Sequence, residues 1–317
     1  MSHPCFLILQ TMMILLTIVP QQNLTKAEDY FNRGNERYKK NDLDGAIEDF
    51  TKAIQLSPRY ASAYTARAKA RNDKGDVDGA IADFNRAIEL NQGDVIAIYS
   101  RGMLQYNKGE LDAAVADFDR AIQLQPKLFT AYNNRGNVKK AKGDAVAAIL
   151  DYTKAIELNP RLAEAYYNRG VAWQSLSKME EALADYDQSI ELNQKYYDAY
   201  FNRAGARNAT GNPDGAIADY TSAISLNPGD ANSYHQRAVV RQTKDLEGAL
   251  ADFGKAIELN PQFAESYASR GIVLLMLRRD AEAQQDFVRY LELNNGARRS
   301  LDLRIKYAKS QRDKKKK

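Results

Sequence analysis

Residues 129–162 read FTAYNNRGNVKKAKGDAVAAILDYTKAIELNPRL, and residues 163–196 read AEAYYNRGVAWQSLSKMEEALADYDQSIELNQKY. Superposed, the two stretches share Asn-Arg-Gly near the start, Ala-x-x-Asp-Tyr in the middle and Ile-Glu-Leu-Asn near the end, all at the same offsets. Self-similarity at a fixed period outranks any local reading of secondary structure, because it defines the unit that packs. Extending the 34-residue register in both directions starts units at Ala27, Ala61, Val95, Phe129, Ala163, Tyr197, Ala231 and Ala264. The seventh of these eight units has 33 residues, shortened around Lys244-Asp245, where a turn tolerates a deletion best.

Within each unit, apolar and small residues recur at spacings of three and four with a break near the middle, which predicts two amphipathic helices. Gly75, Gly109, Gly143 and Gly211 stand at the break, as does Asn41, where a first helix ends in the left-handed region. Pro58, Pro126, Pro160, Pro228 and Pro261 end the second helices, because proline cannot continue the hydrogen-bond ladder. Position eight of the unit is Gly or Ala throughout, and position twenty is always Ala, as close approach of two helix backbones requires. Position four is Tyr in every unit but the third, which has Ile98, and position twenty-four is always Phe or Tyr. Large and small side chains in this alternation predict an interdigitated core.

This small–aromatic–small–proline spacing is similar to that of the tetratricopeptide-repeat family, and the resemblance covers residues 27 to 297. It implies an all-α, right-handed superhelical solenoid of eight helix–turn–helix units, with a concave groove lined by the first helices that holds peptides or partner proteins. Residues 23–297 form the expected solenoid. Residues 298–317 form a capping helix and basic tail, with Leu301, Ile305 and Ala308 on one stripe and Leu303 and Tyr307 on an adjoining one.

Position seven departs from the common family pattern, being Arg in all eight units, and position twenty-three is Asp in all eight. Opposite charges repeating in lockstep on the two helices predict a buried bidentate pair that staples the hairpin or bridges neighbouring units. The competing reading, an arginine ladder for an acidic ligand, is opposed by the ready-made Asp partners.

Family resemblance places positions two, five, six, nine, twelve and thirteen in the groove, where the units differ from one another. Position six supplies Asn32, Asn134, Asn168 and Asn202, with Ser100, Gln236 and Ser269 as shorter or longer polar substitutes and Ala66 as the exception. An amide can donate to and accept from one peptide group, so such a row resembles the asparagine ladder lining the repeats of O-GlcNAc transferase. Position five adds Phe31, Tyr99, Asn133, Tyr167, Phe201 and His235, expected as flat platforms between the amides, and position nine adds Asn137. Positions two and six carry no basic residues, so the resemblance argues against a carboxylate clamp for chaperone C-termini. His235 has no nucleophile at triad spacing and reads as a groove-facing or solvated side chain, so no catalytic residue is expected and the chain is read as a non-enzyme.

One Cys (Cys5) and two His (His3, His235) cannot build a disulfide framework or a Cys/His zinc site, and neither metal nor cofactor is expected. Phe6 to Val19 is a fourteen-residue, mostly apolar run, short for a spanning helix and suited to a signal-peptide core. No Lys or Arg precedes it and no small-x-small cleavage site follows, so residues 1–22 read as a cleaved export signal or an uncleaved anchor, with a cytosolic leader as third choice. The first two readings put the repeats outside the cytoplasm, in a periplasmic, secreted or lumenal location, with membrane association through residues 6–19. Asn23-Leu24-Thr25 and Asn208-Ala209-Thr210 are glycosylation sequons. Residues 298–317 carry ten Lys or Arg against two Asp, while the whole chain has a net charge of +4, so the preceding residues are slightly acidic. That balance disfavours an RNA-binding helical repeat. A polypeptide-binding scaffold is the leading expectation, ahead of a membrane-anchored assembly or trafficking factor.

Overall fold

The computed structural model describes residues 25–314. The segment 1–22, its apolar run, Cys5 and the last three lysines lie outside them. Among the described residues there are seventeen α-helices and no strand. The first four pairs are α1 (Ala27–Lys39) with α2 (Leu43–Leu56), α3 (Ala61–Asp73) with α4 (Val77–Leu90), α5 (Val95–Asn107) with α6 (Leu111–Leu124), and α7 (Phe129–Ala141) with α8 (Ala145–Leu158). The next are α9 (Ala163–Ser175) with α10 (Met179–Leu192), α11 (Tyr197–Ala209) with α12 (Pro213–Leu226), α13 (Ala231–Arg241) with α14 (Leu246–Leu259), and α15 (Ala264–Met276) with α16 (Asp280–Leu293). A single helix, α17 (Arg298–Lys314), follows. Each pair begins at the residue where the sequence register begins a unit, so the fold is an all-α array of eight helical hairpins and a terminal helix.

Local chemistry sets the helix ends. Gly75, Gly109, Gly143 and Gly211 have φ between 79° and 90°, and Asn41 has φ 61°. Ser177 and Arg278 occupy the same turn position in the fifth and eighth units at φ 61° and 62°, which the absence of glycine had concealed. Packing of the two flanking helices holds these residues in a region that a side chain disfavours. The shortened seventh unit instead ends α13 two residues early. Asp42, Asp76, Asp144, Asn212 and Asp245 cap the second helices, each accepting the N–H three residues on at 2.8–3.0 Å.

The core follows the large-and-small pattern. Ala148 and Tyr152 are fully buried, and a Cβ placed on Gly136 would lie 2.7 Å from the Tyr152 ring. The ring therefore occupies the space that a side chain at position eight would need.

Two compact units divide between Arg101 and Gly102, inside α5. In the first, Ala53 and Ile54 of α2 pack with Ala63 of α3 under Tyr30 and Tyr64. In the second, α17 covers α15, burying Leu301 and Ala308 among Leu274, Leu275 and Tyr290, with Ile305 against the same cluster. Arg304 binds Glu265 and Ser269 at 3.1 Å, and Arg312 binds Asp280 at 3.0 Å, so two cations of the basic tail hold the helix down. Leu303 and Tyr307 take no part: they are 64% and 67% exposed, because one helical stripe suffices to cover α15.

Candidate functional site

The invariant charges form an architecture of their own. In Arg33–Asp49, Arg67–Asp83, Arg135–Asp151, Arg169–Asp185, Arg203–Asp219, Arg237–Asp252 and Arg270–Asp286, Nε and Nη2 donate to the two carboxylate oxygens at 2.5–2.9 Å. These Asp side chains are buried. The remaining Nη1 reaches back to position twenty-five of the preceding unit, where Thr51, Asn85, Asp119, Thr153, Asp187 and Thr221 accept at 2.5–3.0 Å. One guanidinium thus staples its hairpin and bridges to the previous one. The position-four Tyr ring lies 5.4–5.8 Å beneath each of the seven guanidinium groups. The hydrogen bond to Asp185 raises the Arg169 pKa above the ordinary arginine value. All seven of these arginines turn the Nε–Nη2 fork to an Asp, and Arg67, Arg135, Arg169, Arg203 and Arg237 engage Nη1 as well, which opposes a ladder for an acidic ligand.

The position-five side chains are wedges rather than open platforms. Phe31 lies between Phe50 (5.9 Å) and Tyr60 (5.0 Å), Tyr167 between Tyr186 (6.1 Å) and Tyr196 (4.9 Å), and His235 between Phe253 (5.3 Å) and Phe263 (4.7 Å). Phe201 meets Tyr220 edge-on at 5.4 Å and stacks on Tyr197, and Tyr99 is partly buried on α5. His235, expected as a groove-facing or solvated side chain, is 8% exposed and its Nδ1 is 2.8 Å from the Ser266 hydroxyl. Burial lowers its pKa, with Arg304 acting in the same direction and Glu265 against it.

The amides differ in burial and in the partners they meet. Asn133 is buried, donates to Glu164 at 3.0 Å and accepts from the buried Asn168 at 3.3 Å. Those two cannot also hold a peptide backbone without breaking this network, so the row of amides is not a continuous ladder. Asn202 donates to the Tyr167 hydroxyl at 2.9 Å, and Asn137 accepts from Tyr152 at 2.8 Å. Gln236 approaches Asn232 one turn earlier, Asn134 is partly buried, and Asn32 is exposed. Beside them, burial lowers the pKa of Lys140, partly offset by Glu164.

The structure gathers groove positions of the first three repeats into one hollow, within the first compact unit. Phe31, Asn35 and Tyr38 of α1, Ser62, Thr65, Ala66 and Lys69 of α3, and Asp94, Val95 and Ile96 at the start of α5 line a pocket of about 530 Å³. Its origin is a missing stack. Where the first unit has Phe50, Phe31 and Tyr60, the second has Phe84, Thr65 and Asp94 at the equivalent positions, so two rings are replaced by small polar side chains. Thr65 donates to Asp94 at 2.7 Å, and Asp94 also caps α5 through the Ala97 N–H at 3.0 Å.

Comparison with known proteins agrees with this architecture. Profiles described as tetratricopeptide repeat or TPR repeat match residues 34–71, 61–94, 104–143, 136–177, 163–196, 197–230 and 253–285, more than half of the chain. The chain belongs to the tetratricopeptide-repeat family. Among solved structures it is similar to YrrB, titled a TPR protein with an unusual peptide-binding site, at 27% identity and TM-score 0.50, over 58% of this chain and 95% of that one. MamA shares 27% identity at TM-score 0.50, over 53% and 92%. The C-terminal part of a TPR protein from Cytophaga hutchinsonii shares the fold at TM-score 0.63 and 20% identity, over 75% and 98%. An uncharacterised protein of Methanocaldococcus jannaschii is 44% identical over 43 residues, which is 14% of this chain. The chain spans about half the length of that curated relative.

For a tetratricopeptide repeat, the residues that sequence reasoning missed are Thr65, Lys69, Asp94 and Ile96. The signal was present in Ala66, the one apolar exception at position six, and in Thr65, which interrupts the rings at position five. Neither predicts a hollow until the neighbouring helices show that nothing else fills it.

Proposed function

We propose that this chain is a polypeptide-binding scaffold that holds an extended peptide on the first-helix faces of its repeats. The observation that carries this reading is the pocket at positions two, five, six, nine and twelve, on helices whose position-seven arginines are engaged by Asp. The peptide-binding site named for YrrB, a relative at 27% identity, supports it. Exposed Asn32 is the amide placed to contact a backbone. Hydrogen exchange of the purified chain with a captured polypeptide tests the reading. Protection is expected in α1, α3 and the other first helices; protection confined to second helices counts against it.

The proposal extends to location: the scaffold acts outside the cytoplasm, exported or membrane-associated through the apolar run at residues 6–19. No helix among the described residues is long and apolar enough to cross a membrane. N-terminal sequencing of the mature protein and fractionation of intact cells decide between cleavage and anchoring. Recovery of a full-length chain in the cytosol would overturn both.

A further inference from the structure

The hollow in the first unit has a chemical bias that a general peptide groove lacks. Its walls are the faces of Phe31, Tyr38, Val95 and Ile96, and Ile96 stands 54% exposed. A volume of about 530 Å³ accommodates a large side chain together with the adjoining backbone, within the range that ligand pockets occupy. Water in such an apolar recess is released when an aromatic or long aliphatic side chain enters.

The lining carries one cation, Lys69, and one acid, Asp94. Helix α3 carries Arg67, Lys69 and Arg71. Arg67 and Arg71 both bind Asp83, at 2.7–2.8 Å, whereas Lys69 makes no ion pair among the described residues although it is partly buried beside the hollow. Asp94 is held by the Thr65 hydroxyl and the Ala97 N–H and Asp73 by the Tyr38 hydroxyl, neutral donors that leave both carboxylates charged, yet neither forms an ion pair with Lys69. An ammonium beside an apolar recess that pairs with neither acid complements a carboxylate adjacent to a large apolar side chain.

We propose that this pocket selects a peptide segment in which a large apolar residue is followed or preceded by Asp or Glu, the apolar side chain filling the space above Ala66 and the carboxylate pairing with Lys69. This assignment rests on the polypeptide-binding reading and adds a sequence preference to it. Thr65 and Ala66 act as specificity determinants, because a ring at Thr65 would restore the stack that Phe31 makes in the first repeat and a ring at Ala66, which also lines the pocket, would fill it.

The test uses fluorescein-labelled Gly/Ser octapeptides carrying a central Phe-Asp, Ala-Asp, Phe-Asn or Phe-Lys, titrated with the full chain by anisotropy. Phe-Asp is expected to bind best, Ala-Asp about tenfold weaker, and Phe-Asn and Phe-Lys about fivefold weaker with the gap shrinking in high salt. Lys69→Glu should reverse the order of Phe-Asp and Phe-Lys. Ala66→Phe should abolish the preference of Phe over Ala, with its melting curve confirming the fold. Ile96→Ser, at an exposed site, gives the same information should Ala66→Phe unfold. Equal binding of Phe-Asp and Ala-Asp, an order that survives Lys69→Glu and Ile96→Ser, or binding of none of the four overturns the assignment. The broader reading stands or falls separately, by whether a captured polypeptide protects the first helices in hydrogen exchange.

Discussion

Replacing Asp151 by Ala removes the acceptor of three charge-assisted donors at once: Arg135 Nε at 2.9 Å, Arg135 Nη2 at 2.5 Å and Lys139 Nζ at 2.8 Å. The Asp side chain is 5% exposed, Arg135 16% and Lys139 26%, so the cations left behind are largely shielded from water. Truncating one member of a buried pair costs about 3–5 kcal/mol, mostly as the penalty of the unpaired charge. Two features push this case to the lower end. Arg135 keeps Asp119 at 2.5 Å, and Lys139 can turn its ammonium toward solvent. The expected loss is therefore about 3 kcal/mol. Asp119, 54% exposed, should cost only about 0–1 kcal/mol when changed to Ala. Arg135→Lys should fall between the two, because an ammonium cannot bridge Asp151 and Asp119 with a planar fork. Urea titration followed by circular dichroism gives the global values. Hydrogen exchange over residues 129–158 reports the local ones, needed because repeat arrays can lose two-state behaviour. A loss below about 0.5 kcal/mol for Asp151→Ala, or an equal loss for Asp119→Ala, would refute the staple reasoning.

Three further expectations follow from other sites. His235 has a folded-state pKa lowered by burial, so its contribution is complete above the unfolded value of about 6.5 and declines as pH falls through the depressed folded value. The melting temperature should drop more between pH 7 and pH 5 for the wild type than for His235→Gln, and parallel curves would contradict this. Gly136→Val should destabilise by about 1–3 kcal/mol through collision with the Tyr152 ring, measured by the same urea titration; an unchanged midpoint would mean that the ring moves aside. On the cap, Leu301→Ala should cost about 2–5 kcal/mol and Leu303→Ala under about 0.5 kcal/mol, since one is buried and the other exposed. Equal thermal shifts for the two would show that α17 docks by another face.

The sequence alone determined the period, the eight hairpins, their boundaries and the Arg–Asp pairing. These depend on residue types that repeat, and each repeated choice reflects a local constraint: a turn at Gly75, a stop at Pro58, an alanine under a ring, a fork opposite a carboxylate. Even so, Ser177 and Arg278 carry the turn conformation without the residue type that advertises it, because helix packing imposes it on them. The candidate site was legible as a set of positions but not as a surface. Asn133, Asn168 and His235 read like open groove residues, and only the positions of Glu164 and Ser266 on the next helix show that they are engaged. Leu303 read as part of an apolar stripe adjoining that of Leu301, and only the docking of α17 shows that it stays exposed. The pocket beside Lys69 belongs wholly to tertiary structure. A cavity is defined by what neighbouring helices fail to fill, and a cation is left without an ion pair only relative to the acids that folding brings near; neither property resides in Thr65, Ala66 or Lys69 taken one at a time.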